Sequence, residues 1–387
     1  MKNFKTVPGI IISLALIAFI TNTSSGNSDK KLITTFGIVS SQKSMKNFAP
    51  KKEVSVNSQI LKTHDDMKIV VLKRLQALSG LQGMNNNQII ENQRFSVLHT
   101  IIPCWHEEAQ DMSTFPVGTY PCGVAFDGAN IWVANNGNGS VTKLRASDGT
   151  PLGTYAVGFN PRGVVFDGAN IWVTNTNSNS VTKLRASDGT VLGTYAVGWT
   201  PQLMAFDGAN IWVSNSGSGT VTKLRASDGT VLGTYAVGLN PRGVAFDGTN
   251  IWVANSNTNN ITKLRASDGT VLGTYAVDWM PEWVAFDGTN IWVADYGSGK
   301  VTKLRTNDGT VLGNYTVGFY PIGVAFDGAH IWVTNSGSNN ITELRTSDGA
   351  LLGTYNVGFN PRGLAFDGAN VWVANYDSNS VTKHSLH

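Results

Sequence analysis

The sequence predicts an all-β fold, a seven-bladed β-propeller with four antiparallel strands per blade, over residues 113–387. One observation is a 40-residue repeat in which proline recurs in register, at Pro121, Pro161, Pro201, Pro241, Pro281, Pro321 and Pro361. A second is tryptophan in the same register, at Trp132, Trp172, Trp212, Trp252, Trp292, Trp332 and Trp372. The composition agrees, because 42 glycines and only 14% charged residues suit many short strands joined by tight turns.

Each repeat contains four apolar runs separated by residues that favour turns. In the first copy these runs predict strands at 123–126, 131–134, 141–145 and 152–157. An isolated four-stranded sheet leaves apolar surface exposed, and radial stacking of such sheets about an axis buries it. We therefore expect each repeat to form one blade, with its tryptophan packed between neighbouring sheets.

The two ends of the repeat region predict a closed ring. The last copy stops after its third strand, at residues 381–386, without a fourth. Residues 115–118, which precede the first proline, match the Tyr-Ala-Val-Gly motif that ends most fourth strands. We expect this N-terminal segment to complete the last blade by main-chain hydrogen bonds.

Two motifs that recur through the copies are interpreted as structural. The Asp-Gly pairs, such as Asp127-Gly128, occur at hairpin positions in every copy and are expected to form turns rather than bind a ligand. The Lys-Leu-Arg motif of the third strand, first seen at residues 143–145, is expected to lie on a solvated outer face.

The first 112 residues differ from the rest of the chain. Residues 1–26 combine a basic start with an apolar run at 10–20, which predicts a secretory signal peptide and export to the periplasm or the cell exterior. The run is too short to favour a permanent membrane span. Residues 27–112 are predicted to be a linker with one short amphipathic helix at 64–78.

Export would place the two cysteines, Cys104 and Cys122, where disulfides persist. They either form a disulfide bridge or remain two unpaired thiols, and the sequence leaves both alternatives open.

The repeat region carries 16 Lys and Arg against 18 Asp and Glu, of 29 and 26 in the chain. Because the propeller has no excess of basic residues, we do not expect it to bind nucleic acid. We also expect the protein to be a monomer.

The segment IWVTNTNSNSVTKLRASDGTVLGTYAVG at residues 171–198, with its six relatives, resembles the YVTN-type β-propeller repeat, related to the NHL and virginiamycin B lyase-like propellers. The resemblance covers residues 113–387 and implies the propeller fold. Lyase members of the wider group use histidine and glutamate near a metal at the channel mouth. The propeller histidines here, His330, His384 and His387, lie elsewhere, so those roles are not carried over.

The copies differ most on one face, which we call the top face. It carries the loops from each fourth strand to the next first strand, and those between strands two and three. The inter-blade loops hold aromatic or apolar residues, among them Trp199, and we expect Phe159, Phe319 and Phe359 to fill the gaps between blades. The residue after each proline also varies: Cys122, Arg162, Gln202, Arg242, Glu282, Ile322 and Arg362.

The fifth copy departs furthest from the consensus. An inter-blade glycine becomes Asp278, the residues around the proline become Trp279, Glu282 and Trp283, and the asparagine that ends strand two becomes Asp295, followed by Tyr296. The tryptophans are expected to offer flat apolar surface to a ligand, and the acids to orient it. Arg162, Arg242 and Arg362 would contact a more distant part of that ligand.

The preferred function is therefore a secreted binding module that recognises a glycan, peptide or protein through its top face. Binding of this kind needs no cofactor. The alternative is a lyase or lactonase with a divalent metal at the channel mouth, for which Glu282 and Asp295 are the unusual acids available. The sequence contains no Ser-His-Asp set, His/Cys metal spacing or phosphate-binding glycine loop that would favour an enzyme.

Overall fold

The computed structural model describes residues 112–386, together with the backbone of residues 14–20 and 34–40. The chain divides into two compact units, Met1–His106 and Glu107–His387. In the first, strand β1 (Leu14–Ile20) pairs antiparallel with β2 (Thr34–Ser40), and β2 falls within the predicted linker. The predicted helix at 64–78 and Cys104 lie outside the described residues. Among the helices that were described, none has the length and apolarity to span a bilayer.

The second unit consists of seven four-stranded antiparallel sheets, which confirms the predicted fold class. Blades 1 and 2 contain β4 (Pro121–Phe126), β5 (Asn130–Asn135), β6 (Ser140–Arg145), β7 (Pro151–Ala156), β8 (Pro161–Phe166), β9 (Asn170–Asn175), β10 (Ser180–Arg185) and β11 (Val191–Ala196). Blades 3 and 4 contain β12 (Pro201–Phe206), β13 (Asn210–Asn215), β14 (Thr220–Arg225), β15 (Val231–Ala236), β16 (Pro241–Phe246), β17 (Asn250–Asn255), β18 (Asn260–Arg265) and β19 (Val271–Ala276). A 3-10 turn, Thr176–Ser178, follows β9.

The remaining blades repeat the same order of strands. Blades 5 and 6 contain β20 (Pro281–Phe286), β21 (Asn290–Asp295), β22 (Lys300–Arg305), β23 (Val311–Thr316), β24 (Pro321–Phe326), β25 (His330–Asn335), β26 (Asn340–Arg345) and β27 (Leu351–Asn356). Blade 7 contains β28 (Pro361–Phe366), β29 (Asn370–Asn375), β30 (Ser380–Ser385) and, as its fourth strand, β3 (Met112–Pro116).

Strand β3 joins the two ends of the propeller. It pairs antiparallel with β30, from Met112 opposite His384 to Pro116 opposite Ser380. The Phe115 ring lies 5.6 Å from the ring of Trp372, in the place that tyrosine occupies beside the tryptophan of the other blades. The fourth strand of blade 7 thus comes from the N-terminal side of the propeller, and it begins one residue before the predicted boundary at 113.

The tryptophans form the core between blades, as expected from their recurrence. All seven are buried, and Trp132 packs against Ile171, Val173 and Leu184 of the next blade. Each indole Nε1 donates to the aspartate of the preceding Asp-Gly turn at 2.7 or 2.8 Å. The Asp-Gly pairs therefore do more than form turns, because their carboxylates also satisfy the buried indole N–H.

The expectation that the third-strand lysine is solvated is wrong. Lys143 is buried, and its Nζ donates to Ala186 O at 2.7 Å and Ser187 O at 3.1 Å, both in the next blade. The same ammonium lies 5.0 Å from the centre of the Trp132 ring. The pattern recurs at Lys183, Lys223, Lys263, Lys303 and Lys383, the last reaching from blade 7 to blade 1. The expectation failed because the lysine stem crosses the interface between two blades and reaches backbone carbonyls of the next blade.

Replacing one of these lysines should weaken the contact between two blades. Lys223→Met keeps the apolar stem but removes the donor to Ala266 O and Ser267 O, and we expect it to destabilise the fold by about 1–3 kcal/mol. Arg225→Met, in the same strand, removes an exposed ion pair with Asp228 and should change the stability by less than about 0.5 kcal/mol. Urea unfolding measures both, and equal effects would contradict the role of the lysine.

Candidate functional site

The residue after each proline occupies a bulge at the start of the first strand. In blade 1 the register with the second strand passes directly from Pro121 to Val124, and in blade 5 from Pro281 to Trp283. Bulges redirect side chains locally. First strands also pack against the first strands of neighbouring blades, so they form the innermost layer. The bulged residues therefore surround the central channel.

We call these seven residues the channel set: Cys122, Arg162, Gln202, Arg242, Glu282, Ile322 and Arg362. Glu282 Oε2 lies 3.4 Å from Arg242 Nη1 in the adjacent blade and 3.9 Å from Arg162 Nη2. Arg162 belongs to blade 2 and Glu282 to blade 5, so their side chains meet across the axis. Residues that are 120 positions apart in sequence thus form one site.

Positive charge dominates the channel set, which has three guanidinium groups and one carboxylate. Burial lowers the pKa of Arg242, and the positive charges of Arg162 and Arg362 lower it further, while Glu282 opposes the shift. The Arg362 guanidinium stacks 4.0 Å from the Tyr376 ring, which itself stacks on Tyr120 at 4.9 Å. The site therefore holds like charges close together in a half-buried position, which an added anion would relieve.

Around the channel the inter-blade loops expose a ring of large apolar side chains. Their exposed fractions range from 59% for Trp279 to 75% for Phe159. We call this ring the apolar rim; its members are Phe159, Trp199, Leu239, Trp279, Phe319 and Phe359. The expectation that Phe159, Phe319 and Phe359 fill gaps between blades is wrong, because the tryptophan-tyrosine pairs already fill them and the loop residue projects outward.

The loops that carry the rim share a left-handed backbone conformation, which is strained in the three of the six loops that do not have Asn at this position. The residue before each proline has a positive φ, including Thr200 at 50° and Met280 at 55°, although side chains other than Asn and Gly disfavour this region. Side-chain amides fix the loops: Asn179 Oδ1 accepts from Thr200 N at 2.9 Å, and Asn259 Oδ1 accepts from Met280 N at 2.9 Å. The backbone of these loops therefore holds the rim side chains in defined positions.

Blade 5 contains a second group of charged residues, beside the rim. In blade 1 the buried Asn135 accepts from the backbone N–H of Gly118 at 3.0 Å and donates to Thr142 at 2.8 Å. Blade 5 replaces this asparagine by Asp295 and the glycine by Asp278. Asp295 Oδ1 has no hydrogen-bond partner in the described part of the chain.

The Asp295 carboxyl is strongly perturbed by this substitution. Burial raises its pKa to about 8, and the negative charge of Asp278 contributes, while the Thr302 hydroxyl and Lys300 oppose the shift. Thr302 Oγ1 lies 2.6 Å from Asp295 Oδ2 and 2.8 Å from Asn314 Oδ1. One hydroxyl proton serves only one of these oxygens, so a protonated Asp295 donating to Thr302 completes the network.

Sequence reasoning missed Lys300, which completes the group. Its Nζ lies 2.9 Å from Asp278 Oδ2, and this contact lowers the pKa of Asp278. The equivalent positions in the other blades carry only Ser, Thr or Asn: Ser140, Ser180, Thr220, Asn260, Asn340 and Ser380. Comparing the copies at this position would have identified the residue.

The structure divides the predicted fifth-blade site. Glu282 joins the channel arginines, whereas Asp278 and Asp295 interact with Lys300. Trp283 is half-buried and packs on the core between blades 5 and 6. Two other predicted residues lie on loops of the top face: Tyr296, which stacks on Tyr320 at 4.9 Å, and Trp199 of the apolar rim.

Cys122 is buried and has no disulfide partner within residues 112–386. Its predicted partner Cys104 lies outside the described residues, so the bridge stays a prediction. Within residues 112–386 no group of three or more His, Cys, Asp or Glu side chains is placed to hold a metal ion. Of the acids considered for a metal, Glu282 contacts Arg242 and Asp295 contacts Thr302.

No family model matches the chain, and no curated protein matches it. Several solved structures match the chain. Virginiamycin B lyase from Staphylococcus aureus matches with a TM-score of 0.63 and 18% identity, covering 72% of this chain and 99% of that one. Hydrazine synthase of Kuenenia stuttgartiensis matches with a TM-score of 0.62 and 20% identity, covering 70% and 97%.

The WD40 propeller domain of Doa1 matches with a TM-score of 0.62 and 12% identity, covering 71% of this chain and 96% of that one. At such identities the likeness shows the fold alone. The chain is a β-propeller related in fold to virginiamycin B lyase and to other propellers, as the repeat resemblance predicted.

The pKa of Asp295 predicts how stability depends on pH. Its pKa is raised from 3.8 to about 8 in the folded state, so the folded state binds the proton more tightly and stability falls as pH rises between these values. Asp295→Asn removes this loss. Thermal unfolding should show that the advantage of the variant over wild type grows from pH 5 to pH 9.

Asn335→Asp in blade 6 is the matched control, because Asn335 still accepts the N–H of Gly318. This change should introduce a further pH-dependent loss of stability, from a position that has no ionisable group in the wild type. An Asp295→Asn difference that stays constant with pH would show that the carboxyl does not titrate in this range.

Proposed function

We propose that the protein is an exported binding module that holds a polypeptide partner on its top face. The apolar rim carries the proposal, since six of the seven inter-blade loops expose a large apolar side chain at their first position. Clustered exposed apolar groups on a soluble domain are typical of interaction surfaces. Export rests on the predicted signal peptide at residues 1–26.

The loop conformation supports binding by a preformed surface. Positive φ values at the loop tips and amide caps from Asn179 and Asn259 restrict the loops before any partner arrives. A restricted surface loses less conformational entropy when it binds. Aromatic anchors such as Trp199 and Phe159 then contribute apolar contact with few rotatable bonds.

The composition of the rim favours a polypeptide over a glycan. Three of its members are phenylalanines and one is Leu239, which pack well against apolar side chains but offer no polar group to a sugar. Only Trp199 and Trp279 have the polar indole edge and broad face that often serve as carbohydrate platforms. Glycan binding is therefore the competing outcome of the test.

Substituting the rim should abolish binding. We expect the full chain to bind members of an array of random-sequence peptides, and Phe159→Ser, Trp199→Ser and Phe319→Ser together to weaken that binding by more than about tenfold, since truncated anchors typically cost over 1 kcal/mol each. The control, Val191→Ser, Val231→Ser and Val271→Ser, changes apolar residues of the outer strands that are half exposed and should preserve binding.

Binding to a glycan array alone, or equal loss in both triple variants, would contradict the proposal. The lyase or lactonase alternative predicts turnover that a chelator abolishes. The proposed binding should survive the chelator.

A further inference from the structure

The channel set has more hydrogen-bond donors than acceptors. Arg162, Arg242 and Arg362 converge from three blades, and Glu282 is the single carboxylate among them. Two buried donors, Arg242 Nε and Arg362 Nε, and one buried acceptor, Gln202 Oε1, have no hydrogen-bond partner within residues 112–386. Buried donors without acceptors are costly, which indicates that this site is incomplete without an added acceptor.

Glu282 makes only long contacts with the arginines. Its Oε2 lies 3.4 Å from Arg242 and 3.9 Å from Arg162, whereas close charge-assisted hydrogen bonds between guanidinium and carboxylate measure about 2.7–2.9 Å. The Arg362 guanidinium has no carboxylate partner among the described residues and is held in place by Tyr376. Its donors therefore have no acid to receive them within residues 112–386.

The position of Glu282 also identifies the kind of anion that fits. The Glu282 carboxylate already approaches the guanidinium groups of Arg162 and Arg242, both through Oε2, so this space accepts a carboxylate oxygen. An external carboxylate would compete with Glu282 for the same donors and gain those of Arg362. Glu282 thus occupies part of the site and lowers its affinity for an external carboxylate.

We propose that the channel mouth binds a carboxylate group, clamped by Arg242 and Arg362 with support from Arg162. Its source is a peptide held by the apolar rim, and in this respect the inference rests on the proposed function. The carboxylate belongs either to the C-terminus of that peptide or to an acidic side chain. Both present the same two oxygens to the arginines.

Calorimetric titration of the full chain with citrate, and with acetate as the minimal probe, tests the clamp. Arg242→Gln and Arg362→Gln should each weaken citrate binding by at least about tenfold. Glu282→Gln should strengthen it several-fold, because it removes the internal competitor while keeping a similar side-chain shape. Arg145→Gln, on an exposed ion pair with Asp148, should leave it unchanged.

A loss of folding in an arginine variant, detected by its melting temperature, leaves Glu282→Gln as the deciding measurement. Unchanged or weaker citrate binding by Glu282→Gln would overturn the proposal. Tighter binding of inorganic phosphate or sulfate than of citrate would overturn the assignment to carboxylate.

Peptides distinguish the source of the carboxylate and separate the two proposals. If the C-terminus enters the channel, amidating a peptide that binds should cost at least about tenfold, whereas an acidic side chain would tolerate amidation. The rim variant Phe159→Ser, Trp199→Ser and Phe319→Ser should lose peptide but still bind citrate. Citrate binding without peptide binding would contradict the proposed function alone, and peptide binding without citrate binding would contradict the clamp.

Discussion

The joint between neighbouring blades is the interaction on which the rest of the structure depends. A four-stranded blade leaves its apolar faces exposed when it is isolated. In the propeller, the tryptophan of each blade packs against the apolar face of the next blade. Placing an indole there creates a buried N–H, which the Asp-Gly turn satisfies, and a lysine above the ring bonds the next blade's carbonyls. The indole and the Asp-Gly turn recur in all seven blades and the lysine in six, with Glu343 in its place in blade 6. The blades are therefore held at fixed positions and the top face is free to vary.

Variation is concentrated where the joint does not constrain the side chain. The bulge at the start of each first strand turns one residue toward the channel, and the inter-blade loop turns another outward. These two positions generate the channel set and the apolar rim from an otherwise uniform repeat. In blade 5 the variation involves interacting positions. Asp278 replaces the glycine, Asp295 replaces the asparagine, and Lys300 replaces a small polar residue and contacts Asp278.

The sequence predicts features that follow from the repeat itself. The period and the buried tryptophans follow from comparing the copies, and the number of strands is visible in each copy. The burial of Lys143 was not predictable in this way, because its acceptors lie 43 and 44 residues further on, across an interface. The contact between Arg162 and Glu282 likewise requires the ring geometry, which brings blades 2 and 5 together over the channel. The exposure of Phe159 depends on which side of its loop faces the gap between blades, and spacing does not encode that.

The seventh joint tests this account most directly, because there a phenylalanine from β3 takes the place of the tyrosine. Phe115 packs on Trp372 within the apolar cluster that links blades 7 and 1. Hydrogen exchange of the full chain carrying Phe115→Asp, followed by mass spectrometry, reports on each blade separately. If the joints hold the blades, amides of β29, β30 and β5 should lose protection first and most, while those of β13 and β17 keep more of theirs. Unchanged protection in blade 7, or a loss no greater there than in blade 3, would contradict the account.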